Sequence, residues 1–353
     1  MTKTITARGL RRATALAVVG LLAAACTPGT QDAEGKDANG VVRMSLAPDA
    51  IWEWLEDEGI KAEMEEASGI KILTSATWDE FGIYAGGHAD VVSTGTWEVP
   101  NLDEATKVPS TVFGKYNEER AFLAVPTGSP DQTLCDLKGK KFVSFSTAAV
   151  TLMWSMYASE WCDGATINAD SDDYDLVVTD IQNVGSLVAR KDAAGGTVTA
   201  DFAMAQLREG SIQPLYDSKS VAEIFADDFG DGHIGPWSNV FVAPTAWLDK
   251  NPDEAAFLLA VWERGLQEWK EHKAEIIARY PEHFGVTQEG DVEFLIDYFE
   301  NVNDWYADSV YIDDTWIEGE KKVFDLMKKH NLMEQDAEVN FKVINAANPA
   351  ENQ

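Results

Sequence analysis

The strongest constraint on this 353-residue chain is an alternation of strand and helix that runs, stops and starts again. Val41-Val42-Arg43-Met44-Ser45-Leu46 reads as a strand closed by Pro48 and Asp49. Asp49 is placed to cap a helix that begins near Ala50 and carries Ile51, Trp52, Trp54 and Leu55. Gly69 to Leu73 is the next strand, and His88 to Val92 leads into the small polar stretch Ser93-Thr94-Gly95-Thr96. Such alternation predicts a parallel sheet, whose ligand sites lie in the loops at the carboxyl ends of its strands. The pattern restarts with Ala121 to Val125, and Pro126, Gly128 and Pro130 then break the chain. Phe142 to Phe145 runs into Ser146-Thr147 and a helix to about Trp161, followed by a strand at Tyr174 to Val178 and a weaker one over 197–202. Ile212 to Tyr216 is extended and is expected to return the chain to the first unit. Asn239 to Ala243 is a late strand, and nearly everything from Pro252 to about Glu334 reads as helix. The fold class is α/β, in two lobes: 41–118 with 216–353, including a helical C-terminal segment, and 119–215. A cleft and a hinge are expected between them.

The amino terminus is an address. Lys3, Arg8, Arg11 and Arg12 precede the apolar run Ala13 to Ala25, and small residues lead to Cys26. That is the anatomy of a secretory signal, and the run is short for a membrane span. Ala23-Ala24-Ala25-Cys26 resembles a bacterial lipoprotein box, in which the cysteine is lipidated, although Ala23 stands where Leu is usual. Residues 1–25 are thus expected to be a signal peptide, Cys26 the lipidated residue, and 26–40 a flexible tether. The alternative is an ordinary signal with an incidental cysteine, and both export the protein.

The charge excludes other classes. With 60 acidic and 28 basic residues the chain carries −32. Losing the four basic residues of the signal leaves 24 against 60, or −36. Such a surface repels phosphate backbones, so no nucleic-acid partner is expected. Beyond Cys26 only Cys135 and Cys162 remain, and in an exported chain they are expected to form a disulfide. The five histidines sit in no recognisable catalytic or metal-ligand context, and no G-x-S-x-G, H-E-x-x-H or P-loop occurs.

Several stretches, taken in order, resemble one family. Asp136-Leu137-Lys138-Gly139-Lys140-Lys141-Phe142-Val143 looks like the segment that opens the second lobe of type II periplasmic binding proteins. Gly87-His88-Ala89-Asp90-Val91-Val92 resembles their "G-x-A-D-V" strand, and Gly95 to Pro100 its "G-x-x-E-x-P" continuation. Asn251-Pro252-Asp253-Glu254 with Phe257 resembles their "N-P-E…F" helix start. The combination is most similar to the branch that binds nitrate, sulfonates, taurine and thiamine pyrimidines. The resemblance implies a solute-binding lipoprotein of an ABC importer, on the outer face of the bacterial cytoplasmic membrane. Its partners would be a permease, an ATPase and a small nitrogen- or sulfur-containing organic ligand. No catalytic residue, metal or cofactor is implied, and a monomer is expected. The segment after Ala274 has no counterpart in the family.

Candidate ligand contacts follow. Ser144, Ser146 and Thr147 stand at an expected helix N-terminus, where free N–H groups suit an anion or carbonyl, although Ser146 can simply be a cap. Ser93, Thr94 and Gly95 form the matching loop in the first lobe. Trp52, Trp78, Trp97 and Trp237 lie near strand ends or loops, where rings stack on a flat ligand or surround a cation. Asp201 would suit an amine or ring nitrogen. Arg120 and Arg190 are the second-lobe bases available for an anion, but neither sits in a motif, so a neutral or cationic nitrogenous ligand is the better match. Two other readings stay open: an enzyme on the same fold related to thiamine-pyrimidine biosynthesis, and a lipid-anchored ligand sensor.

Overall fold

A computed structural model of the protein describes residues 40–345. The expected signal peptide, Cys26, the tether through residue 39 and the tail beyond Asn345 lie outside the described residues. In chain order the strands are β1 (Val41–Leu46), β2 (Lys71–Ala76), β3 (Val91–Thr94), β4 (Ser110–Glu118), β5 (Phe122–Pro126), β6 (Lys141–Ser144), β7 (Asp175–Val178), β8 (Gly195–Val198), β9 (Ile212–Pro214), β10 (Trp237–Pro244) and β11 (Asn340–Phe341). They build two sheets, ordered β11-β4-β10-β3-β1-β2 and β7-β6-β8-β5-β9.

Each sheet has a parallel trio, β2-β1-β3 in the first and β7-β6-β8 in the second. An antiparallel strand lies beside each trio: β10, returning late in the chain, pairs with β3, and β5 pairs with β8. The two halves thus share one plan, and the chain passes between them after Glu118 and again before Trp237. Local chemistry supports it. Asp49 caps helix Ala50–Asp57, its Oδ1 accepting from the Ile51 and Trp52 amides at 2.9 and 3.2 Å. Asp90 accepts from the Arg43 backbone and Nε at 2.9 and 3.0 Å, tying β1 to the turn before β3. β4, β5 and β10 are almost entirely buried, as strands between covered sheet faces must be.

Four sequence expectations need correction. Ile212–Pro214 does not lead back to the first lobe; it is an edge strand of the second sheet, antiparallel to β5. The helix after β6 begins at Val150, not at Ser146, with Ala149 as its cap residue. The weaker strand near residue 200 is β8 and ends at Val198, so Asp201 lies in the turn beyond it. The C-terminal segment is not continuous helix: between helices Asp291–Asn301 and Asp314–Lys329 the chain runs irregularly alongside β4, where Glu118 N and Lys115 N donate to Trp305 O and Val310 O. No described helix is long and apolar enough to cross a membrane.

Cys135 and Cys162 are disulfide-bonded, joining the turn before β6 to the end of helix Val150–Trp161 across 27 residues of sequence. Closing a loop of that length stabilises by about 3–4 kcal/mol in the chain-entropy description. Cys135→Ser with Cys162→Ser is expected to cost that much in urea denaturation; an unchanged midpoint would show that the loop is held by its packing alone.

Candidate functional site

The two passages of the chain between the sheets run side by side. Glu119 N donates to Pro236 O at 3.0 Å, and Val221 N donates to Ala121 O at 2.8 Å. Beside them opens a cleft of about 310 Å³, near the lower end for ligand pockets. The end of β4 and the crossing supply Tyr116, Asn117, Glu119 and Arg120, and β10 supplies Ser238 and Asn239. The second lobe adds Phe145, Thr199, Asp201 and Phe202, and the C-terminal segment closes it with His283, Phe284, Trp305 and Tyr306. Gly285 shows how closely that segment docks: its φ is +63°, and a Cβ there would lie 2.2 Å from Asp201 O.

At the centre is an ion pair, Arg120 Nη2 to Asp201 Oδ2 at 2.9 Å, with the Asp201 side chain only 2% exposed. The guanidinium lies 5.0 Å over the Trp305 ring. Burial opposes the charge on Arg120, but the Asp201 carboxylate outweighs it and raises the guanidinium above its usual value. Glu119 accepts from Ala121 N at 3.1 Å and from Ser238 Oγ at 2.8 Å, and burial pushes its carboxyl up. Burial also raises Asp49 and Glu80, the latter helped by the nearby Glu98 charge.

Six side-chain atoms of this lining are buried without a partner among the described residues: Glu80 Oε2, Trp97 Nε1, Asn117 Oδ1, Arg120 Nε, Thr199 Oγ1 and Asp201 Oδ1; a seventh buried atom, His283 Nε2, lies 3.0 Å from Glu53 Oε1. Buried polar atoms are normally hydrogen-bonded, and six orphans around one cavity mark the place where something else supplies the bonds.

The sequence candidates divide. Trp78, Trp97 and Asp201 line the cleft, Trp78 being 74% exposed at its mouth. Ser93 stands directly behind it: its hydroxyl is 2.7 Å from the Tyr116 hydroxyl and accepts from Asn239 Nδ2 at 3.0 Å. Thr94 Oγ1 and Gly95 N both donate to Glu98 Oε2, at 2.6 and 2.9 Å, so they hold a lining carboxylate. Trp52 belongs to the core, stacked on Trp262. Ser144 is buried and spends its hydroxyl on Thr151 Oγ1, 2.6 Å away. Ser146 Oγ accepts from Ala148 N within a turn, and Thr147 is exposed; neither caps the helix at Val150. Trp237 faces a separate, wider depression of about 1040 Å³, its Nε1 donating to Ile234 O at 2.8 Å. Sequence reasoning left out Asn117, Glu119, Asn239, His283, Trp305 and Tyr306, none of which lies in a family motif.

The wider depression holds a displaced acid and a displaced base. Glu118 is nearly buried there, accepting from Asn303 Nδ2 at 2.7 Å, and burial pushes its carboxyl up to about 7. Lys115, whose Nζ donates to Ser309 O at 2.6 Å, is pushed down to about 8, again by burial. An acid raised in the folded state keeps a proton the unfolded chain has lost, so its effect on stability worsens as pH rises from about 4.5 to 7. Glu118→Gln, which keeps the acceptor for Asn303, is expected to match the parent at pH 4 and exceed it by about 3 kcal/mol at pH 8. Equal differences at both pH values in urea titrations would refute this.

The sequence matches no family model and no curated protein. Solved structures do match its fold. The aliphatic sulphonate binding protein SsuA of Escherichia coli superposes with a TM-score of 0.64 at 13% identity, covering 84% of this chain and 90% of that one. The alkanesulfonate-binding SsuA of Xanthomonas axonopodis pv. citri, bound to MOPS, gives 0.62 at 13% identity, covering 84% and 95%. A Candida albicans gene product with the generic periplasmic-binding-protein fold gives 0.58 at 13%, covering 86% and 97%. The fold is that of the periplasmic binding proteins, two α/β lobes about a cleft, as the sequence motifs implied.

Proposed function

We propose that this protein is an extracytoplasmic solute-binding lipoprotein of an ABC importer. It is exported by residues 1–25, anchored through Cys26 on the outer face of the cytoplasmic membrane, and acts as a monomer. It captures a small organic solute between a lobe of residues 41–118 with 216–353 and a lobe of 119–215. The hinge runs through the two adjacent crossings, and the loaded protein hands its solute unchanged to a permease driven by an ATPase. Likeness to the sulfonate-binding proteins supports the role. The observation that carries it is the set of six unpartnered polar atoms around the cleft between the two sheets. Aromatic faces and carboxylates there favour a nitrogen-containing solute over a sulfonate.

A thermal-shift screen of the whole chain tests this, after unfolding and refolding to strip carried-over ligand. The panel holds sulfonates, nitrate, thiamine precursors, amines, amino acids and aromatic acids. A solute at a hundredfold excess over its Kd stabilises by about 2.7 kcal/mol. Recovery of the unaltered compound supports binding, a chemically changed product supports the enzyme reading instead, and silence across the panel refutes solute binding.

A further inference from the structure

We infer that the solute is a small organic cation that donates N–H hydrogen bonds (a protonated amine, amidine or guanidine), an assignment that rests on the solute-binding reading above. The balance of charge comes first. Among the described residues six carboxylates line the cleft, those of Asp49, Glu80, Glu98, Glu119, Asp201 and Glu282, against one guanidinium. Arg120 has its charge met by Asp201 through Nη2 and its face stacked on Trp305, which leaves only its Nε, a donor, to be met by an acceptor atom of the solute. An anionic solute would enter against net negative charge at short range, whereas a cation is drawn in.

Hydrogen bonding then narrows the class. Asp49, Glu98 and Glu119 have their acceptors met by the protein's own donors. Glu80 Oε2, Asp201 Oδ1 and Asn117 Oδ1 do not, and all three are acceptors buried in the same lining. An amide oxygen and an ionised carboxylate only accept, so they call for donors on the solute. A quaternary ammonium has none to offer. It would satisfy the aromatic faces of Trp97, Trp305 and Tyr306 and leave all three oxygens unpaired, at the full desolvation cost of each. A protonated nitrogen bearing N–H groups meets both demands, and its charge offsets the repulsion and burial that raise Glu80. Trp97 Nε1, an indole N–H and so only a donor, is also unpartnered. The solute therefore carries an acceptor away from its cationic end.

Isothermal titration of the whole chain tests this. The probes are 3-aminopropanol, 4-aminobutanamide, 4-guanidinobutanamide and 4-carbamoylbenzamidine, each a cation with an acceptor away from its charge, beside the counterpart permethylated at the cationic nitrogens, with propane-1-sulfonate as the anion. At least one N–H cation is expected to bind, and permethylation to weaken it about tenfold or more, the worth of a charge-assisted hydrogen bond. Asp201→Asn is expected to weaken binding about tenfold; should its melting show a damaged fold, Glu80→Gln, at a half-buried position, carries the same expectation. Permethylated cations binding as tightly as their parents would overturn the assignment, as would unchanged affinity in Glu80→Gln. Binding of propane-1-sulfonate or another panel compound with silence from every amine would overturn it while leaving solute binding intact. Silence from all compounds would overturn both.

Discussion

Asp201→Ala is expected to remove about 3–5 kcal/mol of stability and to abolish solute binding, the largest double effect of any single change at the cleft. Asp201 is almost wholly buried and accepts from Arg120 at 2.9 Å. Truncating it leaves a guanidinium facing the Trp305 ring and the Glu119 carboxylate with its main counter-charge gone. The cost is chiefly that of an uncompensated charge, and so it exceeds what the pair itself contributes. Replacing both partners, as in Arg120→Met with Asp201→Leu, should therefore recover most of the stability and none of the binding. That contrast separates a pair kept for the solute from one kept for the fold. Urea denaturation of the single variant showing a loss below about 1 kcal/mol would sink the idea, because it would place water around Arg120 in the parent protein.

Why Arg120 and Asp201 meet was only half legible in the sequence. Asp201 stood out as an acid after a weak strand, but its partner lies 81 residues earlier in a three-residue crossing. Strand alternation shows where β1, β3, β5 and β6 form, because each is a compact apolar run bounded by breakers. It gives no warning of β4: Ser110–Glu118 mixes Ser, Thr, Gly, Lys and Asn with its apolar residues, and becomes a strand because β10 and β11 pair on either side. The crossing that follows β4 carries Glu119 and Arg120, so without the strand Arg120 stood only as an available base and Glu119 was not singled out. The C-terminal segment hid its part for a different reason. Trp305 and Tyr306 sit at no helical or strand period and reach the cleft from an irregular stretch between two helices, a placement that only tertiary packing decides. The tryptophans misled in the opposite direction. Trp52 follows a strand end, as a ligand contact would, yet the long helix Pro252–Arg279 brings Trp262 against it and makes it core.

That core stack carries the second large effect. Trp262 is fully buried, with its ring 5.3 Å from Trp52, 4.2 Å from Tyr116 and 5.6 Å from Phe241. Trp262→Ala is expected to cost about 3–5 kcal/mol, since the surrounding rings come from one helix and two strands and cannot all collapse into the gap. The loss should reach the cleft as well. Tyr116 is held between Trp262 and Phe241, and its hydroxyl is 2.7 Å from Ser93 Oγ. Ser93 in turn accepts from Asn239 Nδ2 at 3.0 Å, and Asn239 Oδ1 accepts from Asn117 at 3.3 Å. Asn117 is one of the acceptors left open to the solute. A Tyr116 ring free to tilt loosens that chain, so the folded fraction of Trp262→Ala is expected to bind about tenfold more weakly, close to one hydrogen bond's worth. Trp262→Phe keeps an aromatic face toward Tyr116 and should recover most of the affinity while restoring only part of the stability. Urea denaturation and titration of both variants check the two effects separately. Weakened stability with undiminished affinity in Trp262→Ala would show that the cleft is positioned by the β4–β10 pairing alone, independently of the stack beneath it.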